Sequence, residues 1–143
     1  MHNLSRYILD LGKFDIKKTI GQGEFGEVIL IEERETGKKF AAKVNKKLNI
    51  NSNVGQKTFM NEVETFSKIK YPSVLKFYGY NLNNFNFQPY PTIIIQYMPN
   101  GSLQEMIELS MRGMAPREWS DTNKYINLLG ISLAMNHLNS KNI

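Results

Sequence analysis

The spacing of apolar and polar residues changes character twice along the chain. Residues 14–20 alternate loosely and end in a glycine cluster. Val28-Ile29-Leu30-Ile31 is apolar and β-branched, which predicts a strand. Glu35-Thr36-Gly37-Lys38 predicts a turn, because glycine accepts positive φ, and residues 39–44 predict the returning strand. Three antiparallel strands are therefore expected first. Over residues 58–70 the period becomes helical: Phe59, Val63, Phe66 and Ile69 form one apolar stripe. Tyr71-Pro72-Ser73 should end that helix, since the residue before proline disfavours the helical region. Residues 74–80 predict a strand, 81–86 an Asn-rich loop, and 92–97 an apolar strand between Pro91 and Pro99. Residues 101–111 predict a short helix and 112–119 a loop. A last helix over residues 122–139, capped by Ser120 or Asp121, is apolar round most of its circumference. Such a helix expects burial on several sides.

The chain has 143 residues, enough for about one domain with a real core. Its apolar share of 41% is ordinary for a globular protein. No run of about 18 apolar residues occurs, so no membrane partner is expected. Residues 1–13 read as a short leader, without the apolar stretch of a signal peptide. With no cysteine, neither disulfides nor thiolate metal sites can form, and a reducing, cytoplasmic setting fits. His2 and His137 are too few for a histidine metal cluster, so no metal site is expected within this chain. The net charge of +5 favours the approach of polyanions. No basic stripe interleaved with aromatics appears, so nucleic acid is not an expected partner.

Four segments carry chemistry. The first is Gly21-Gln22-Gly23-Glu24-Phe25-Gly26-Glu27-Val28. Glycines let a backbone approach phosphate oxygens closely. Dinucleotide-binding folds use the same spacing, but there a helix follows directly. Here a strand follows, which favours a hairpin lid over phosphates; a plain glycine-rich turn would look similar. The second is Lys43, which shares a strand face with Ala41. Lysine beside a small residue suits a flat ligand with a phosphate tail, although a single lysine is more often a surface residue. The third is Glu62, which sits on the apolar stripe between Phe59 and Phe66, where a carboxylate is costly unless paired. Glu64 points away, so Glu62 should face inward, and Lys43 is its obvious cation. A glutamate reaching past the stripe edge to water is the plainer alternative. The fourth is Ile93-Ile94-Ile95-Gln96-Tyr97-Met98-Pro99-Asn100-Gly101. It is an apolar strand running into a connector that could offer backbone groups to a planar base, or simply join strand to helix.

Taken in order, these segments resemble the protein kinase family over about residues 14–143. Gly21 to Val28 matches the family's G-x-G-x-x-G-x-V loop, and Ala41 to Lys43 its third-strand lysine motif. Glu62 matches the glutamate of the αC helix, Ile95 resembles the gatekeeper, and Gln96 to Met98 the hinge. Tyr71-Pro72-Ser73-Val74 is similar to the step after αC, and the text ending at Ile143 to the end of αE. The resemblance implies an α+β fold. A five-stranded antiparallel N lobe with αC over residues 14–98 would precede the αD and αE helices of a C lobe over residues 99–143. It implies ATP as cofactor and a protein substrate or partner for the full-length form. Gln22, Gly23, Glu24, Phe25 and Gly26, with Gly21, would cover the phosphates. Lys43 would hold the α- and β-phosphates, fixed by its ion pair with Glu62. Ile20, Val28 and Ala41 would sandwich adenine, beside Ile95, with Gln96 and Met98 bonding it.

The sequence contains no H-R-D, D-F-G or A-P-E motif. In the family the H-R-D aspartate accepts the substrate hydroxyl proton, and the D-F-G aspartate and catalytic-loop asparagine hold Mg²⁺, so Mg²⁺ is expected only with the remainder of a C lobe. The expected function is the ATP-binding part of a protein kinase, inactive by itself. A non-catalytic, pseudokinase-like module binding ATP or a partner is the alternative. The hinge and last-helix text leans toward the tyrosine-kinase-like branch.

Overall fold

Five runs rich in β-branched and aromatic residues form one antiparallel sheet. They are β1 (Phe14–Gly23), β2 (Gly26–Glu33), β3 (Lys39–Asn45), β4 (Phe77–Asn81) and β5 (Thr92–Gln96), in the order β1-β2-β3-β5-β4. The structure, a computed structural model, describes residues 3–143. The helices are α1 (Asn53–Lys68), α2 (Leu103–Met111) and α3 (Asp121–Ser140). The fold is α+β, as expected for a kinase N lobe and the start of a C lobe. One structural unit holds the chain up to Lys70 together with Leu75–Tyr97; a second holds Tyr71–Val74 and Met98–Ile143. Met98 and Tyr71–Val74 thus group with the later helices rather than with the sheet. For Tyr71 the cause is local, because its ring stacks on His137 with centroids 4.4 Å apart.

Side chains alternate across a strand, so the sheet has two distinct faces. One carries Ile29, Ile31, Phe40, Ala42, Val44 and Ile94, packed with Leu11 and Phe14. The other carries Ile93 and Tyr80, packed with Phe59 and Val63 of α1. Lys43 lies directly opposite Val28 on β2 and Ile93 on β5. Directly opposed residues share a face, so Lys43 points to the side that α1 covers.

Helix α1 starts five residues before the expected 58. Ser52 caps it, its hydroxyl accepting from the Gly55 N–H at 3.0 Å. Gly55 reads as a helix breaker in sequence, yet packing demands it: a Cβ there would lie 1.9 Å from the Asn49 carbonyl oxygen. Strand β4 starts at Phe77 rather than at residue 74, because the Val74 N–H turns back to the Tyr71 carbonyl at 3.0 Å. The expected leader is more than a tail among its described residues. Residues 3–13 form two short 3-10 turns, and Leu11 is buried against the sheet.

In the second unit α2 opens with a capping box. The Ser102 hydroxyl accepts from the Glu105 N–H, and the Glu105 carboxylate accepts from the Ser102 N–H at 2.6 Å. These bonds to Ser102 hold the Glu105 carboxyl below its ordinary value. A carboxyl so lowered contributes stability above its unfolded value and loses it as pH falls through the folded one. The melting-temperature difference between the protein and Glu105→Gln should therefore be present at neutral pH and shrink in acid.

Ser120 caps α3 through the Asn123 N–H. The burial expected for α3 on several sides is not found: of its residues only Ala134 is buried, while Tyr125, Ile126, Leu128 and Leu129 are each more than half exposed. No helix among the described residues is long and apolar enough to cross a membrane.

Candidate functional site

The hairpin joining β1 to β2 is short because glycine forms its ends. Gly23 pairs with Gly26, and only Glu24 and Phe25 lie between them. The three glycines are not equivalent. Gly26 has φ +150°, and a Cβ there would lie 2.0 Å from the Val44 carbonyl oxygen. It is required by the close approach of β3. A Cβ on Gly21 would meet only the Val28 side chain, at 3.6 Å, and one on Gly23 would meet nothing within 4 Å. Gly23 faces open space and Gly21 only an ordinary contact with Val28, so neither glycine is demanded by packing, and a bare backbone is what a bulky anion needs to approach peptide N–H groups.

Beneath the turn lies a cavity of about 320 Å³ lined by residues 21–28 together with Lys43, Val44 and Asn45. Lys43 reaches it from β3 and meets Glu62 from α1: Nζ and Oε1 are 2.7 Å apart. Glu62 stands where the helical stripe turns it toward the sheet, whereas Glu64 pairs along the helix with Lys68 at 2.8 Å. The Lys43 and Glu62 side chains keep 41% and 31% of their exposure, so the ammonium remains open to a ligand.

Sequence reasoning passed over Lys46 and Lys47. Lys46 pairs with Glu27 at 2.8 Å and Lys47 with Glu24 at 3.1 Å, and the Lys46 N–H donates to the Phe25 carbonyl at 3.0 Å. The turn is thus tethered to the chain leaving β3. The signal was legible as two lysines after Asn45 matching two glutamates around Phe25. Exposed pairs of this kind stabilise by no more than about 1 kcal/mol each, so they bias the turn rather than clamp it. Phe25 is mostly exposed at the tip.

The other anticipated residues fall on the same unit, with one exception. Ile20 sits in the irregularity between Thr19 and Gly21 where the β1–β2 register shifts. Ala41 is buried and lies opposite Ile95. Gln96 ends β5, and its N–H already donates to the Lys76 carbonyl at 2.9 Å. A backbone bond from Gln96 to a base would therefore use its carbonyl. Met98 belongs to the second unit and is exposed. Among the described residues no group of three or more His, Asp or Glu gathers in a metal-holding arrangement.

Chemically, a glycine turn facing a half-open, carboxylate-paired ammonium can receive a phosphorylated ligand. A glycine-rich hairpin with a third-strand lysine paired to a helix glutamate is the arrangement of the N lobes of protein kinases. The family model described as "Protein kinase domain" matches residues 14–143, and the chain belongs to that family. It is 33% identical over 101 residues to an Aurora kinase of Saccharomyces cerevisiae, covering 71% of this chain and 26% of the relative. An Aurora kinase of Yarrowia lipolytica is 31% identical over 134 residues, covering 93% of this chain and 33% of the relative. The tyrosine-protein kinase receptor TYRO3 of Danio rerio is 30% identical over 141 residues, covering 95% and 15%. The chain spans a third or less of the length of these relatives.

Proposed function

We propose that this chain binds ATP through the Gly21–Val28 turn, Lys43 and Glu62, as the nucleotide-binding part of a kinase that phosphorylates protein hydroxyls. The observation that carries this reading is the 2.7 Å pair between Lys43 and Glu62 beside the cavity under the glycine turn. A partly exposed ion pair is worth less than about 1 kcal/mol of stability. Placing a carboxylate on the apolar stripe of α1 therefore makes more sense for holding a lysine at a ligand than for holding the fold.

The residues present fit the phosphate end of a nucleotide. Gly21 and Gly23 leave room over the backbone, and Lys43 supplies a fixed positive charge on the same side. Lys43 would neutralise charge on the α- and β-phosphates, and Glu62 would orient its Nζ. Val28, Ala41, Ile20 and Ile95 would give adenine apolar contact. Mg²⁺ and the base that accepts the hydroxyl proton belong to motifs this sequence does not contain, so no transfer step is assigned to these residues. A cytoplasmic setting accords with the absence of cysteine.

Glu62→Gln tests the pairing. It keeps the shape of the side chain and removes its charge. Melting without nucleotide should change little, whereas ATP affinity should fall about tenfold as Lys43 loses its fixed position. Equal ATP affinity in calorimetric titrations of both proteins would remove Glu62 from the site. The competing reading, a module that binds a partner and no nucleotide, draws on the exposed apolar surface of α3. It predicts no ATP binding in either protein.

A further inference from the structure

The leading segment is built into the sheet rather than appended to it. The Leu9 N–H donates to the Tyr80 carbonyl at 2.9 Å, and the Asn81 side-chain amide donates to the Leu9 carbonyl at 2.9 Å. Ile8 pairs with Tyr80 in parallel, so residues 8 and 9 add a short rung to the outer edge of β4. β4 is the last strand in the sheet order, and an edge strand otherwise presents unpaired backbone groups. The approach is close. A Cβ on Gly79 would lie 2.4 Å from the Tyr7 carbonyl oxygen and 2.5 Å from the Leu9 Cγ. Glycine at 79 therefore makes room for this segment.

The segment also reaches α1. The Tyr7 ring packs on Phe77 of β4 with centroids 5.3 Å apart. Phe77 in turn stacks on Phe66 of α1, at 6.0 Å and 19° between planes. Leu4 and Tyr7 belong to the same apolar cluster as Phe59 and Val63. Phe66 lies one helical turn beyond Glu62. A continuous row of rings thus runs from residue 7 to the helix that presents Glu62 to Lys43.

We propose that Leu4–Leu9 is a positioning strap for α1: lying along β4 and seating Tyr7 on Phe77, it fixes the helix that sets the Lys43–Glu62 pair. The packing part of this proposal is independent of any ligand. Only its consequence for ATP rests on the nucleotide reading above. With Tyr7 released, α1 loses one wall of its apolar cluster, while the opposite face of the sheet keeps its buried core from Leu11 and Phe14 to Ile94 and meets the strap only through Leu9. A segment that selectively loosens α1 is a natural place for control, since it acts on the pair without touching the ligand.

The test is amide hydrogen exchange on the full chain with Tyr7→Ala and Tyr7→Phe. Gly79→Ala serves as an independent way to lift the strap. The expected result for Tyr7→Ala is exchange about tenfold faster in α1, with β2 and β3 unchanged; Gly79→Ala, which also displaces Leu9, should speed α1 more than β2 and β3. Tyr7→Phe keeps the ring and should behave as the parent. Unchanged exchange in α1, or an equal rise throughout the sheet, would overturn the proposal. A second readout joins it to the site. Tyr7→Ala should weaken ATP binding about threefold or more, and should add nothing once Glu62→Gln is present. An additive loss would mean that the strap acts on ATP by another route, against the proposal. If the parent chain binds no ATP, the nucleotide reading fails, and the strap is judged by exchange alone.

Discussion

Lys43→Met is expected to remove most of the thermal stabilisation that ATP gives this chain. A ligand that binds only the folded state stabilises it by about 1.4 kcal/mol at ten times its dissociation constant. For a chain of this length about 1 kcal/mol moves the melting temperature by roughly 4 °C, so the parent should gain about 5 °C. Methionine keeps the unbranched length of lysine and loses the charge. Without that charge ATP affinity should fall about tenfold or more, leaving a gain of about 2 °C. The unliganded protein should melt nearly as before, because Glu62 keeps 31% of its side-chain exposure and water can reach its carboxylate. Scanning fluorimetry with and without ATP separates the two effects. An ATP gain as large in Lys43→Met as in the parent would place the nucleotide elsewhere.

The glycines of the β1–β2 turn should divide into two groups under the same treatment. Gly26→Ala puts a methyl group 2.0 Å from the Val44 carbonyl in a backbone conformation that L-residues avoid. Strain and displacement together should cost about 3 kcal/mol, or roughly 12 °C in melting temperature. Gly21→Ala and Gly23→Ala meet only ordinary contact or open space. They should leave the unliganded melting temperature within about 2 °C. Their methyl groups occupy the space over the backbone that phosphates would use, so ATP affinity should fall several-fold. One glycine would thus serve the hairpin and two the ligand. Equal loss of stability in all three variants would contradict that division.

The strands around the site were legible because their residues are β-branched in short runs, and because glycines mark the turns between them. Lys43 and Glu62 were legible for different reasons. Lys43 was found by its place beside Ala41 in a strand, and Glu62 by its cost on an apolar stripe. Their pairing at 2.7 Å needed the register of β3 against β2 and β5, and the seating of α1 on that face. Sequence periodicity suggests such a register without fixing it.

Element ends were less legible where tertiary packing overrides local preference. Gly55 suppresses the helical signal at the start of α1, yet the Asn49 carbonyl leaves room for nothing larger. The docking of residues 3–13 was missed because its partners on β4 lie some seventy residues on, as in the Asn81–Leu9 bond with a separation of 72. Leu4, Tyr7, Ile8, Leu9 and Leu11 were the local sign, and they settle neither a helical nor an alternating period. Nor did any local sign show that the Gln96 N–H is committed to the Lys76 carbonyl.

The most direct measurement is an ATP titration followed by backbone amide chemical shifts. The predicted result is saturable shifts at Gly21–Val28 and Lys43, with smaller ones along α1 around Glu62, all lost in Lys43→Met. No shift at millimolar ATP, or shifts confined to exposed lysines such as Lys38 and Lys76, would contradict a nucleotide site at the glycine turn.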